Sequence, residues 1–260
     1  MIKRFNVLGV AMSALNLPLA TEAVMTALRE RRKGYICLRD VHGVILAQND
    51  AAFRQILNSA FLTTPDGMPL VWLGRRAVGS YVDRVYGPDL MLEVFQATER
   101  TPFRHFFYGG APGVAEALQT RMKARFPGAE VCGFWSPPFR PLNPAEEAEL
   151  IALVRERKPD LIWVGLSTPK QERFMAEYLP RLDTTLMLGV GAAFDFHSGR
   201  IRQAPRWIQR SGFEWLFRLL SEPKRLGRRY LLTIPHFLWL IAGQLSGLRK
   251  YPIAEAASQG

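Results

Sequence analysis

The run Phe61-Leu62-Thr63-Thr64-Pro65-Asp66-Gly67-Met68-Pro69-Leu70-Val71-Trp72 sets a single carboxylate in a turn with apolar residues on both sides. Such a carboxylate is partly desolvated, which raises its proton affinity toward the range useful to a general base. Pro-Asp-Gly is also a common structural turn, so Asp66 has a second, purely conformational reading. Further on, Arg84-Val85-Tyr86-Gly87-Pro88-Asp89-Leu90 offers Asp89 as the cap of the next helix. Arg84 has no such local use: it either pairs with a surface acid or holds a phosphate or carboxylate through its forked guanidinium.

Two turns have the form that suits a nucleotide. The apolar run Phe103–Tyr108 leads directly into Gly109-Gly110-Ala111-Pro112-Gly113 and then a helical pattern. Backbone amides and a helix N-terminus are thereby offered where Gly109, Gly110 and Gly113 allow close approach, though tight packing alone explains such a turn equally well. The second turn, Leu166-Ser167-Thr168-Pro169-Lys170-Gln171-Glu172, follows the run Leu161–Gly165, with Pro169 placed to open a helix. Lys170, Gln171 and Glu172 then fall in its first turn, at the carboxyl end of a strand, where open α/β sheets bind ligands. Gln171 can donate to and accept from a sugar or base, while Glu172 either joins it or complements the helix dipole. No Asp-x-Asp pair occurs, and His42, His105, His197 and His236 are scattered, so neither a metal nor another cofactor is expected. A departing diphosphate would then have to be neutralised by arginines.

Positioning these groups requires a sheet. Short β-branched or aromatic runs alternate with helical periods, the pattern of a parallel sheet with crossover helices, hence an α/β fold. Strands are expected at Asn6–Val10, Tyr35–Leu38, Phe103–Tyr108, Glu130–Gly133, Leu161–Gly165 and Thr184–Gly189. Helices are expected at Thr21–Arg32, Asp50–Asn58, Asp89–Thr98, Val114–Arg125, Pro144–Arg157 and Gln171–Leu179, with Asn143 and Glu146 forming a capping box. The N-terminus has a basic start and an apolar run, but Asn6, Asn16 and Pro18 interrupt it, and it reads as a first buried strand rather than a secretory signal. Cys37 and Cys132 lie in apolar stretches without metal-ligand spacing and read as buried small hydrophobes.

Charge divides the chain at about residue 199. Of the net +11 of these 260 residues, the stretch Gly199–Lys250 holds eleven Lys/Arg against Glu214 and Glu222, while the remainder has 23 basic and 21 acidic residues. A core at 1–198 and a basic appendage at 199–260 are therefore expected, the latter facing an anionic partner. Within it Tyr230–Leu245 is apolar but shorter than the ~20 residues of a spanning helix. Flanked by Arg225, Arg228, Arg229, Arg249 and Lys250, it fits an amphipathic contact with an anionic membrane surface. Packing on the core and self-association are the alternatives, the second leaving a homo-oligomer open.

Taken in order, TPDGMPLVW, RVYGPDL, FFYGGAPG, VGLSTPKQE, GVGAAFDFHSGRIRQAPRW and GFEWLFRLLSEPKRLGRR resemble the WecG/TagA/CpsF family of bacterial glycosyltransferases, over about Asn6–Tyr230. The resemblance implies an inverting hexosyltransferase with a Rossmann-like core that takes N-acetylmannosamine or glucose from a UDP-sugar, and the residues above make it metal-independent by expectation. The acceptor would be a sugar on a polyprenyl diphosphate, at the inner face of the cytoplasmic membrane, in cell-wall or exopolysaccharide biosynthesis. It also implies Asp66 as general base, Arg84 and Gln171 in the pocket, and Arg218, Arg225 and Arg228 on the diphosphate. These three are spaced seven and three apart, which suits one helix face. Two positions depart from the family pattern. Where family members carry Thr-x-Asn after the second strand, this chain reads Cys37-Leu38-Arg39-Asp40-Val41-His42, leaving Asp40 or His42 to fill that space and contact the sugar; Ser167 replaces a usual glycine.

Two other classes fit less. A nucleotide-binding oxidoreductase or sensor needs G-x-G-x-x-G with an acid about twenty residues on, which Gly109–Gly113 does not match. A nucleic-acid binder rests on charge alone, and here the cations flank an apolar stretch, so no nucleic-acid partner is expected.

Overall fold

The computed structural model describes residues 2–253 apart from 222. The chain opens with β1 (Arg4–Val7) and β2 (Val10–Ser13), followed by α1 (Leu17–Arg29), β3 (Gly34–Arg39), α2 (Val41–Asn49), α3 (Ala51–Ser59), β4 (Leu62–Pro65) and α4 (Met68–Ala77). Next come α5 (Gly87–Thr98), β5 (Arg104–Gly109), α6 (Val114–Arg125), β6 (Glu130–Trp135), α7 (Pro144–Arg157), β7 (Leu161–Gly165), α8 (Lys170–Tyr178) and β8 (Leu186–Gly189). The last part holds the short helices α9 (Ala193–His197), α10 (Arg206–Ser211) and α11 (Glu214–Ser221), then α12 (Pro223–Leu245).

Six parallel strands form the central sheet in the order β4-β3-β8-β7-β5-β6. Both faces are covered, so the strands are apolar almost throughout and their side chains alternate between two cores. Tyr35, Cys37, Phe106, Tyr108, Ile162 and Val164 point into one, Ile36, Leu38, Phe107, Leu161 and Trp163 into the other. Burial pushes the Cys37 thiol up and leaves it inert, as expected of a small hydrophobe. The capping box at Asn143 and Glu146 is formed.

The N-terminal strand is corrected. Residues 4–13 make an antiparallel hairpin outside the parallel sheet, pairing Val7 with Val10. Leu8 and Gly9 take φ of 51° and 81°, as a two-residue hairpin turn of matching twist requires. The turn expected at Asp66 is present, and one helix start is corrected. The Pro65-Asp66-Gly67 turn joins a strand, β4, to a helix, α4, whose N-cap is Gly67. Asp89 does not cap α5: that helix starts two residues earlier, with Tyr86 at the N-cap and Pro88 in its first turn, where Asp89 also lies.

The basic tail is helical and returns to the core. Phe237, Leu240 and Ile241 of α12 are buried in the cluster that holds the hairpin, α2 and α3. Gln244 clamps the hairpin, accepting from the Leu8 N–H at 2.7 Å and donating to the Asn6 carbonyl at 2.9 Å. Leu231, Leu232, Leu238 and Trp239 on the same helix are exposed. Among the described residues no helix is long and apolar enough to cross a membrane.

Candidate functional site

Parallel strands end on one rim, and Asp40, Asp66, Gly109 and Gly110 lie at their carboxyl ends. β3 and β4 run in register, Arg39 opposite Pro65, and the Asp66 N–H donates to the Arg39 carbonyl at 2.8 Å. Asp66 thus begins where β4 stops. The segment between α4 and α5 passes beside it, Val85 donating its N–H to the Pro65 carbonyl at 2.9 Å, which carries Arg84 onto Asp66. Arg84 Nε donates to the Asp66 carbonyl at 2.6 Å and to Oδ1 at 3.2 Å, and Nη2 donates to Oδ1 at 3.1 Å. Its remaining nitrogen, Nη1, pairs with Glu214 Oε2 at 2.6 Å. The Tyr86 hydroxyl donates to Glu214 Oε1 at 3.1 Å, with the Tyr86 ring 4.0 Å from the guanidinium carbon. Arg84 therefore serves two acids, neither of them on the open surface.

Asp66 retains a free oxygen: among the described residues nothing donates to Oδ2, and the side chain is 25% exposed. Burial pushes its carboxyl up to about 6; Arg84 opposes the rise, while Glu214 and Asp40 add to it. A carboxylate with a free oxygen and that proton affinity can accept a proton near neutral pH.

The second feature is the crevice between β5 and β7. From β5 the chain moves outward to β6, and from β7 it moves the other way to β8, so the connections diverge at this pair. Open α/β sheets bind ligands at such a point. A cavity of ≈ 840 Å³ opens there, lined by Gly110, Gly165, Leu166, Lys170, Arg173, Gly191, Arg200, Arg202 and Glu214 among others. A smaller one of ≈ 570 Å³ is lined by Arg75, Arg84, Asp89, Arg125 and Arg206 among others. The Arg84–Glu214 pair stands between the two.

Glycine is required here by contact. A Cβ on Gly109, which has φ +115°, would lie 2.7 Å from the Gly165 carbonyl oxygen, and one on Gly165 would meet the Phe194 ring at 2.4 Å. Gly113 differs: it is the left-handed N-cap of α6, does not line the cavity, and a Cβ there would touch nothing within 4 Å. Its left-handed backbone, not a contact, is what calls for glycine there. Gly109→Ala should therefore lose ~1–3 kcal/mol more than Gly113→Ala, the overlap being added to a strain common to both. Equal losses in denaturant unfolding would refute the contact.

The helix register of α8 separates its first residues. Lys170 reaches the cavity, but Gln171 is 3% exposed and Glu172 fully buried, and neither lines it. Glu172 is corrected from a ligand contact to a buried ion-pair partner: its Oε1 accepts from Arg39 Nη2, from Gln171 Nε2 at 2.7 Å and from Thr168 Oγ1 at 3.2 Å. Gln171 lies under the cavity floor with Oε1 lacking a partner. Asp40, where the family threonine element is replaced, caps α2 by accepting the Gly43 N–H at 2.9 Å. Burial works against its charge, but that hydrogen bond, Arg39, His42 and Arg229 outweigh it and hold the carboxyl below its ordinary value.

The tail arginines do not share one helix face. α11 ends at Ser221 and α12 starts at Pro223, which places Arg218 on the first helix and Arg225 and Arg228 on the second. The side chains of Arg218 and Arg225 lie outside the described residues, and Arg228 is exposed. Sequence reasoning missed Arg39, Arg200, Arg202 and above all Glu214. Arg39 carries a legible signal, a charge directly after the apolar run Tyr35-Ile36-Cys37-Leu38. Glu214 carries none, because the group it serves is 130 positions earlier.

Over residues 5–251 the chain matches the model of the Glycosyl transferase WecG/TagA/CpsF family. It is 29% identical over 192 residues to the N-acetylglucosaminyldiphosphoundecaprenol N-acetyl-beta-D-mannosaminyltransferase of Bacillus spizizenii, covering 74% of this chain and 72% of that protein. Proteins of the same name from Bacillus subtilis and Staphylococcus aureus (strain MW2) are each 27% identical, the latter over 204 residues and 78% of both chains. A six-stranded parallel sheet, an acid at its rim and a match over nearly all the sequence agree: the chain is a glycosyltransferase of the WecG/TagA/CpsF family.

Proposed function

We propose that this enzyme transfers an N-acetylmannosamine-type sugar or glucose from a UDP-sugar to a polyprenyl-diphosphate-linked sugar, with inversion and without a metal. The observation that carries the reading is Asp66: a rim carboxylate with Oδ2 free and burial raising its proton affinity to about 6. Asp66 Oδ2 takes the proton of the acceptor hydroxyl as its oxygen bonds to the anomeric carbon. The bond from that carbon to the UDP oxygen breaks on the opposite face, and UDP leaves with the electron pair. UDP would occupy the larger cavity, where Gly110 lines the wall, Gly109 packs against Gly165 beside it and Gln171 supports the floor. Lys170, Arg200 and Arg202 line it, and they would neutralise the diphosphate together with Arg218, Arg225 and Arg228 of the appendage. The acceptor in the relatives' name, N-acetylglucosaminyldiphosphoundecaprenol, supports the lipid-linked substrate.

The appendage, residues 199–260, would serve as both active-site flap and contact with the anionic inner face of the cytoplasmic membrane. Exposed Leu231, Leu232, Leu238 and Trp239 beside Arg228, Arg249 and Lys250 support the second role.

Pure protein incubated with a panel of UDP-sugars and a short-chain prenyl-diphosphate sugar should release UDP in an acceptor-dependent way. Release from no donor would sink the reading. The pH profile follows from Asp66: the base must be ionised, so kcat/KM should be flat above pH 7 and fall about tenfold per unit well below 6. A profile flat down to pH 4.5 would remove Asp66 as the base.

A further inference from the structure

We propose that Glu214 is a positioning residue that couples docking of α11 to activation of Asp66, by taking up the charge of Arg84. This rests on the reading of Asp66 as general base. The geometry links four groups: Arg84 donates through Nε and Nη2 to Asp66, its Nη1 is ion-paired with Glu214 Oε2 without an aligned hydrogen bond, and Tyr86 donates to the other Glu214 oxygen. Glu214 opens α11 and is 8% exposed, so it is held inside the molecule by the tail and stabilised by the guanidinium.

Consider Arg84 without Glu214. A bare guanidinium on Oδ1 favours the ionised carboxylate and makes it a poor acceptor of a proton. With Glu214 on the opposite fork the cation is balanced, and Asp66 feels burial more than attraction. The charged and titratable groups acting on Asp66 are Arg84, Glu214 and Asp40, with Tyr86 beside the guanidinium, and both acids favour uptake of the proton. Glu214 also lines the larger cavity, from an element that follows the core in sequence. In its docked position α11 thus places one carboxylate both on the cavity wall and on Arg84. An undocked tail would leave Asp66 clamped by Arg84 and weakly basic, limiting proton removal before the acceptor is enclosed.

The test is the pH profile of Glu214→Gln in the full chain. The amide retains the shape and an oxygen for Tyr86 or Arg84 but not the charge. The acid limb of kcat/KM should move down by about one pH unit and the alkaline plateau should fall by up to about tenfold, the limit for a base weakened by one unit. UDP binding, read by calorimetry, should not weaken, because the amide removes an anion and no ligand contact from the wall of the cavity assigned to UDP. Glu214→Asp should return the limb toward that of the parent. A tail that merely packs would lose turnover in Glu214→Gln with the limb unmoved, and that result overturns the proposal. If Glu214→Gln does not fold, Tyr86→Phe loosens the same carboxylate and must shift the limb in the same direction by a smaller amount; no shift overturns the proposal equally. Should the parent itself show no acid limb and Asp66→Asn keep its turnover, the base reading has failed. A parent limb near 6 with Glu214→Gln unshifted fails the coupling alone.

Discussion

Asp66→Asn should lower kcat by ~10²- to 10⁴-fold while UDP still binds, the range that removal of a general base spans. Asparagine matches the carboxyl in volume and can still accept from Arg84 through its amide oxygen, so the guanidinium and its pairing with Glu214 stay in place. What disappears is the lone pair on Oδ2 that takes the proton. Stability separates this outcome from misfolding. The Asp66 carboxyl is raised from 3.8 to about 6 on folding, so the folded state binds the proton more tightly than the unfolded chain. Its ionised form therefore opposes folding fully above pH 6, and this opposition vanishes as pH falls below 3.8. The asparagine variant is free of it and should melt no lower than the parent at pH 8. Turnover within threefold of the parent would remove Asp66 from the role.

How much of this was legible depends on the range of each interaction. Local signals served well where one segment decides the outcome: α6 and α7 begin and end where periodicity and the Asn143 capping box place them, and β7 matches its apolar run residue for residue. β4 was missed because Leu62-Thr63-Thr64-Pro65 has no alternation and ends in proline, yet it is held as an edge strand by pairing with β3, a contact no local pattern reveals. The hairpin at the N-terminus failed as a prediction because Leu8 adopts positive φ without being glycine or asparagine. The site divides in the same way. Asp66 and Arg84 are marked by the apolar residues around one and the lack of local use of the other. Their distance from Glu214 in sequence hides the third member, and the helical phase of α8 turns Glu172 inward although its neighbour Lys170 faces the cavity.

The inward turn of Glu172 leads to the second large expected effect. Arg39 ends β3 and is 1% exposed; Glu172, in the first turn of α8, is fully buried. Their pair joins sheet and helix below the cavity floor, but it is imperfectly satisfied: Arg39 Nε and Nη1 and Glu172 Oε2 lack hydrogen-bond partners. Desolvating both ions consumes most of their attraction, so the pair as a whole adds little stability, whereas removing one partner strands the other charge. Arg39→Met should therefore cost ~3–5 kcal/mol, a fall in Tm of roughly 6–20 °C for a chain of this size. Adding Glu172→Leu should recover most of that loss. Turnover need not follow stability, since Gln171 is steadied by donating to the same Glu172 oxygen at 2.7 Å and the floor loses that hold in the double variant. The expected pattern is a double variant that melts near the parent and turns over more slowly than it. If the double variant is as unstable as Arg39→Met alone, the buried charge is not the source of the loss, and the side-chain volumes packed between β3 and α8 are.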